Sequence, residues 1–260
     1  MKIVIKVGTS TLAHATGRLN VRCVEELCKV LSDLKNAGHE VILVSSGAIG
    51  MGVGKLGLTA RPTDMPTKQA AAAVGQCELM YTYDRLFSEY SHTVAQLLIT
   101  AADVDHGDRH ENFKNTLNRL LALHVLPIIN ENDTIATEEI VIGDNDTLAA
   151  MVAVSAEAEL LVLLSDIDAL YTADPRKHPD AAPIRTVEKI DESILALGGD
   201  KGSDLGTGGM RTKLIAAGIA TAAGCDMVIA NGAHPEVLYD ILEGKAVGTR
   251  FIAAGQGGAK

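Results

Sequence analysis

Six short runs of aliphatic and β-branched residues recur along the chain: Ile3 to Val7, Val41 to Val44, Val94 to Ile99, Val125 to Ile129, Leu160 to Leu164 and Met227 to Ile229. Runs of this length, apolar at consecutive positions, read as strands buried on both faces. Longer stretches with helical spacing separate most of them. That alternation predicts an α/β fold with a mostly parallel sheet covered by helices on both faces. The clearest helix begins after Asn20, carries Val24, Leu27, Cys28, Leu31 and Leu34 on one face and stops at Gly38; another runs from Met210 to Gly224. Two regions break the pattern. Residues 134–142 alternate Thr, Glu and Ile and read as a small hairpin over one end of the sheet, and the six glycines of 198–209 read as a mobile loop. The tail 255–260 reads as frayed.

A chain of 260 residues with 47% hydrophobic content can bury one sizeable core, and the expectation is a single domain over residues 1–260. No apolar run approaches the roughly 20 residues of a membrane helix, and the N-terminus passes straight into strand-like sequence, so the expected location is cytoplasmic. A net charge of -10 argues against wide contact with nucleic acid, which needs clustered Lys and Arg, and the absence of Trp removes one kind of stacking platform. Cys23, Cys28, Cys77 and Cys225 lack paired spacing and read as reduced core thiols.

Several motifs are negative. Gly52-Val53-Gly54-Lys55-Leu56-Gly57 spells GxGxxG but does not follow directly on a strand, so a glycine-tolerant helix packed closely on a neighbour is the better reading. The histidines show no zinc-ligand spacing, and there is no Walker A sequence. The informative strings lie at the carboxyl ends of the strands, where open parallel sheets bind ligands. Lys6 near the end of the first strand, followed by Gly8-Thr9-Ser10, is costly if buried unless an anion pairs with it; an exposed edge strand is the alternative. Ser46-Gly47 could meet an anion at a helix N-terminus or simply cap that helix. Asn130-Glu131-Asn132-Asp133 and Gly143-Asp144-Asn145-Asp146 are two acid-amide clusters at neighbouring strand ends, more than turn chemistry alone needs. Ser165-Asp166 ends another strand. In Thr207-Gly208-Gly209-Met210-Arg211-Thr212-Lys213, two glycines precede a helix with cations in its first turn, a placement that opposes the helix dipole unless an anion is near.

In this order the strings resemble the amino-acid-kinase superfamily, and within it the glutamate 5-kinase family, along nearly the whole chain; Leu170 to Pro175 and Val247 to Phe251 belong to the same match. The resemblance implies a three-layer αβα sandwich that phosphorylates the side-chain carboxylate of L-glutamate with ATP and Mg²⁺ in proline biosynthesis. It implies substrate contacts at Ser46, Asn130, Asp133, Asp144 and Asn145. ATP contacts fall at Lys6, Gly8, Thr9, Ser165, Asp166, Thr207, Gly208, Gly209, Met210, Arg211, Thr212 and Lys213. Lys6, Asp146 and Lys213 are the catalytic set, with Asp146 organising the two lysines, and Mg²⁺ is bound through ATP phosphates without direct protein ligands. Two departures stand out: the RNA-modification-type PUA domain of many relatives is not expected here, and Val141-Ile142 stand where a lysine is common. Acetylglutamate, aspartate, carbamate and UMP kinases share the superfamily, and a non-catalytic regulatory subunit is the rival from another class. Feedback inhibition by proline and a homo-oligomer built on apolar surface over Thr67 to Phe87 complete the expectations.

Overall fold

The computed structural model describes residues 1–14, 16, 18–105, 107–136, 145–199 and 209–254. The expected tail, most of the glycine-rich segment and most of the hairpin lie outside them, as do Val141, Ile142, Asp144, Thr207 and Gly208.

All six apolar runs are strands: β1 (Lys2–Val7), β2 (Glu40–Ser45), β3 (Val94–Ile99), β4 (Leu126–Glu131), β5 (Leu160–Ser165) and, after the short β6 (Leu170–Tyr171), β7 (Pro183–Ile184) and β8 (Thr186–Val187), β9 (Asp226–Asn231). With β10 (Thr249–Phe251) the main sheet has the order β3-β4-β2-β1-β5-β9-β10-β8. Among the described residues of this sheet only the β9–β10 pairing is antiparallel; β6 and β7 form a separate antiparallel pair. β1 therefore lies at the centre, between β2 and β5. The strand order runs outward from it in both directions, which opens a crevice at the carboxyl ends of these strands.

The period of two sorts the strand side chains into two cores. Ile3, Ile5, Val7, Val41, Leu43, Leu126 and Ile128 face α1 (Thr9–Leu12), α2 (Val21–Asn36), α3 (Ala48–Lys55) and α4 (Met65–Ser88). Val4, Ile42, Val44, Ile129, Leu161 and Leu163 face the opposite layer. That layer contains α5 (Ala101–Asp105), α6 (Asp108–Ala122), α7 (Asn145–Ser155) and, after α8 (Glu192–Ala196), α9 (Met210–Ala222). The short α10 (Val237–Leu242) joins the first layer. The result is a three-layer αβα sandwich. Among the described residues, no helix is long and apolar enough to cross a membrane.

Helix ends follow local chemistry. The Asn20 side chain accepts from the Cys23 N–H at the start of α2, and Gly38 takes a left-handed φ of 92° just beyond its end. Asp64 accepts from the Thr67 N–H to open α4, with Pro66 in the first turn. Three cysteines are buried thiols, but Cys77 on α4 is exposed. The glycines of the GxGxxG string lie on α3, which packs directly on α4. A Cβ on Gly52 would fall 1.8 Å from the Ala71 carbonyl oxygen, and one on Gly75 would fall 1.8 Å from that of Ala48. Of the residues expected to supply surface for association, Ala71, Ala72, Leu79 and Phe87 are core, because α4 turns that face inward; Val74 and Tyr81 are exposed.

Gly75→Ala should therefore destabilise the protein by about 3 kcal/mol or more, since backbone rather than a side-chain tip must yield. Gly218→Ala inside α9, where a Cβ meets nothing within 4 Å, should stabilise it by roughly 0.5–1 kcal/mol. Thermal melts of the two variants compare them directly, and equal midpoints would refute the close α3–α4 contact.

Candidate active site

Along β1, Lys6 shares the face of Val4, so the strand period aims it at the layer of α7 and α9 rather than at solvent. It is 9% exposed on a central strand, which removes the edge-strand alternative. Its partner is Asp146, fully buried in the first turn of α7, with Lys6 Nζ 2.6 Å from Asp146 Oδ1. The other carboxylate oxygen meets Lys213 Nζ at 3.1 Å, from the first turn of α9. The Thr212 hydroxyl lies 3.0 Å from Asp146 Oδ2 and 2.8 Å from the Gly209 carbonyl oxygen, one proton serving two acceptors. Burial alone would push the Asp146 carboxyl up; the charges of Lys6 and Lys213 outweigh it and hold the group well below the ordinary carboxylate range. The three side chains together carry one net positive charge.

A Cβ on Gly8 would lie 3.6 Å from Lys6 Nζ, so the ammonium group rests against the backbone of the turn between β1 and α1. Thr9 opens α1 and lies near the start of α3, where a Cβ on Gly50 would come within 3.6 Å of its methyl group.

Asn145, the residue before Asp146, reaches the other way. Its Nδ2 lies 2.9 Å from Asn130 Oδ1 at the end of β4 and 3.0 Å from Ser46 Oγ after β2, with the Ser45 carbonyl oxygen at 3.4 Å. Ser46 does not cap α3. The N-cap is Gly47, whose left-handed φ of 107° makes the sharp turn and frees the serine to meet Asn145. Asp133, half-buried, stands in the turn after β4.

On the far side of β1, Ser165 at the end of β5 is buried and donates to Asp166 Oδ1 at 3.1 Å, while Arg176 approaches Asp166 at 4.0 Å. Met210, Arg211 and Thr212 form the first turn of α9, with Arg211 exposed. Arg211 also lines a cleft of about 490 Å³ with Leu195, Ala196 and Leu214, between α8 and α9. Of the expected site residues inside the described region, all lie at the carboxyl ends of β1, β2, β4 and β5 or at the helix starts facing them. Asp144, Thr207 and Gly208 fall outside it.

Three buried polar groups escaped the sequence reading. Gln76 on α4 accepts from Asn130 Nδ2 at 2.8 Å, and Tyr83, seven residues on, meets Ser45 Oγ at 2.8 Å beneath the end of β2. A signal existed for Gln76. It is a lone amide after Ala70-Ala71-Ala72-Ala73-Val74-Gly75, and a buried amide needs a partner.

Residues 1–231 match the model of the amino acid kinase family. A glutamate 5-kinase of Clostridium tetani (strain Massachusetts / E88) is 55% identical over 251 residues, which cover 96% of this chain and 94% of that protein. Another, from Caldanaerobacter subterraneus subsp. tengcongensis, is 50% identical, covering 97% of this chain and 68% of its own length. Among solved structures, a carbamate kinase from Giardia lamblia bound to AMP-PNP superposes with a TM-score of 0.67 at 19% identity, covering 97% of this chain and 98% of that one. The product complex of T. acidophilum isopentenyl phosphate kinase gives a TM-score of 0.61 at 17% identity, covering 96% and 100%. These two likenesses place the sandwich among known folds.

The depressed Asp146 carboxyl has a definite consequence for stability. Its folded pKa lies below the ordinary value of 3.8, so the stabilisation is complete above that pH and is lost as pH falls through the folded value. Asp146→Asn should cost about 3 kcal/mol at neutral pH, because two buried ammonium groups lose their counter-ion. Denaturant unfolding of both proteins from neutral pH downward should show the gap closing once the pH drops below 3.8. A gap independent of pH would mean that the carboxylate charge is not what holds the lysines.

Proposed function

The chain belongs to the amino acid kinase family, among its glutamate 5-kinases. From that membership we propose that it transfers the γ-phosphoryl group of ATP to the side-chain carboxylate of L-glutamate, giving L-glutamyl 5-phosphate and ADP, the first step of proline biosynthesis. The observation that carries this reading is the first turn of α7. Its consecutive residues Asn145 and Asp146 join an amide and hydroxyl cluster at the ends of β2 and β4 to a pair of lysines at β1 and α9. One half suits an amino acid and the other suits phosphates.

The chemistry asks little of acid-base groups. A glutamate side chain with a pKa of about 4.3 is ionised at neutral pH and attacks without a general base. The barrier is electrostatic, since an anion must approach the phosphates of a nucleotide. Lys6 and Lys213 supply the positive charge, and Asp146 fixes both ammonium groups before substrates arrive. Asp146 is already engaged by both lysines, so it is not assigned as a metal ligand; Mg²⁺ would be held on the ATP phosphates and would supply neutralising charge there. Ser46, Asn130, Asp133, Asp144 and Asn145 hold glutamate, with Asp133 as the acceptor for its ammonium group. Gly8, Thr9, Ser165, Asp166 and the run from Thr207 to Lys213 hold the nucleotide. A single kinase domain, a cytoplasmic location, inhibition by proline and a homo-oligomer belong to the same reading, and the half-exposed edge strand β3 and the exposed Tyr81 on α4 offer surface for association.

ADP release measured with L-glutamate, N-acetylglutamate, aspartate and UMP tests the acceptor: turnover should depend on L-glutamate, and preference for another acceptor would overturn the reading. Asp133 is the reason to favour free glutamate, because an acetylated nitrogen carries no charge to pair with it. In the same assay, Lys213→Ala should lower kcat by about 10²- to 10³-fold with little change in glutamate KM, as expected of a charge that acts where phosphoryl transfer redistributes negative charge. Wild-type turnover by a folded Lys213→Ala protein would remove Lys213 from the mechanism.

A further inference from the structure

We infer that Gln76 is a positioning residue for the acceptor substrate: its side-chain oxygen accepts from Asn130 and so holds in place a chain of amide hydrogen bonds, through Asn130 to Asn145, whose direction the Glu131 backbone N–H sets and which fixes the atoms the site presents to an amino acid. This rests on the reading that the acceptor binds at Ser46 and Asn145.

The chain has one consistent direction. The Glu131 backbone N–H can only donate, and it donates to Asn130 Oδ1 at 2.9 Å. That fixes the Asn130 amide, so its Nδ2 must point the other way, and the group waiting there at 2.8 Å is Gln76 Oε1. With its oxygen fixed as an acceptor, Asn130 takes an N–H from Asn145 Nδ2 at 2.9 Å, which fixes the second amide. The other N–H of Asn145 serves Ser46 Oγ at 3.0 Å. Both donors of Asn145 are then used within the protein, and what it offers a ligand is Oδ1, an acceptor. Ser46 accepts at its oxygen and so offers its O–H, a donor. An acceptor beside a donor suits the ammonium and carboxylate of a free α-amino acid in one orientation.

The Gln76 amide itself identifies oxygen as its working atom. Its Nε2 is buried and has no hydrogen-bond partner among the described residues, while its Oε1 is engaged. Native proteins seldom leave a buried donor idle. Here the idle N–H₂ accompanies an oxygen that Asn130 requires. Without that oxygen, Asn130 Nδ2 would be the next buried donor without an acceptor. Turning the Asn130 amide over would set Nδ2 against the N–H groups of Glu131 and Asn145, donor against donor. Either way Asn145 loses its fixed orientation.

Two substitutions separate the oxygen from the bulk. Gln76→Met keeps a flexible chain of similar size and removes the acceptor. Gln76→Glu keeps an oxygen toward Asn130 and replaces the idle N–H₂ with a second carboxyl oxygen, which adds a negative charge when ionised. ADP release with L-glutamate and with glutarate, which lacks the ammonium group, reads the effect. Gln76→Met should raise glutamate KM about tenfold, leave ATP KM within about twofold and reduce the preference for L-glutamate over glutarate, as loss of an oriented polar contact predicts. Gln76→Glu should keep both the KM and the preference. A merely structural role would lower activity with both acceptors alike and leave their ratio unchanged. An unchanged ratio in a folded Gln76→Met protein, or loss of the ratio in Gln76→Glu, overturns the inference; the Glu variant decides alone if the Met variant does not fold. Wild-type protein is measured first: absence of glutamate-dependent ADP release overturns the proposed function, whereas normal wild-type turnover with an unaffected ratio overturns only the role of Gln76.

Discussion

Two ammonium groups cannot be held near each other in a protein interior unless something negative lies between them, and Asp146 is that group. Like charges repel by about 4 kcal/mol at 4 Å even with an effective dielectric near 20, so burying Lys6 and Lys213 together without it would carry a penalty of several kcal/mol. Its two oxygens serve the two lysines separately, at 2.6 Å and 3.1 Å. The pairing also resolves a conflict in α9. A cation in a helix's first turn opposes the macrodipole, while an anion in the first turn of α7 is favoured by it, so placing Asp146 against Lys213 offsets the one with the other. Three elements distant in sequence are fixed by this contact: the end of β1 and the starts of α7 and α9.

Small residues make the contact reachable. Ala149, Ala150 and Ala153 on α7 and Ala216, Ala217 and Ala220 on α9 are buried, so the two helices lie close together and their first turns converge above the end of β1. The opposite layer uses the same device more severely, with Gly52 and Gly75 bringing α3 against α4 at a distance that excludes any side chain. That contact seats α4 so that Gln76 and Tyr83, two turns apart on one face, stand beneath the ends of β4 and β2. Packing and site geometry are thus one problem in this fold.

The strands were legible because a covered strand is apolar at nearly every position, although β3 proved to be a half-exposed edge strand, and the limits of α2 were legible because Asn20 and Gly38 mark them chemically. Lys6 was legible as an anomaly, a cation in an apolar run. Its partner Asp146 was legible only through the family resemblance, since it lies 140 positions away and the alanine-rich helices α7 and α9 have no polar face to show which side carries the site. The same blindness affected α4, where Leu79 and Phe87 read as spare surface although they are core. Periodicity reports that a residue is buried and never what it meets. Gln76 signalled only that it needed a partner, and Tyr83 and Ser45 gave no signal: each is an ordinary polar residue whose meaning lies in the atom opposite.

The placement of Asn145 and Asp146 at adjacent positions has a consequence for how the site responds to change. A shift of the first turn of α7 moves both side chains together, so the orientation of the acceptor end and the separation of the two lysines cannot be adjusted independently from that helix. Gln76 and Asn130 approach from α4 and β4 and meet the amide half; Thr212 and Lys213 approach from α9 and meet the carboxylate half. Substitutions that alter acceptor preference without disturbing the charge centre are therefore expected from α4 and from the turns after β2 and β4, where Ser46 and Asp133 stand, and substitutions that alter the charge centre alone from β1 or α9. The sheet divides the two tasks between its layers, and one helical turn holds them in register.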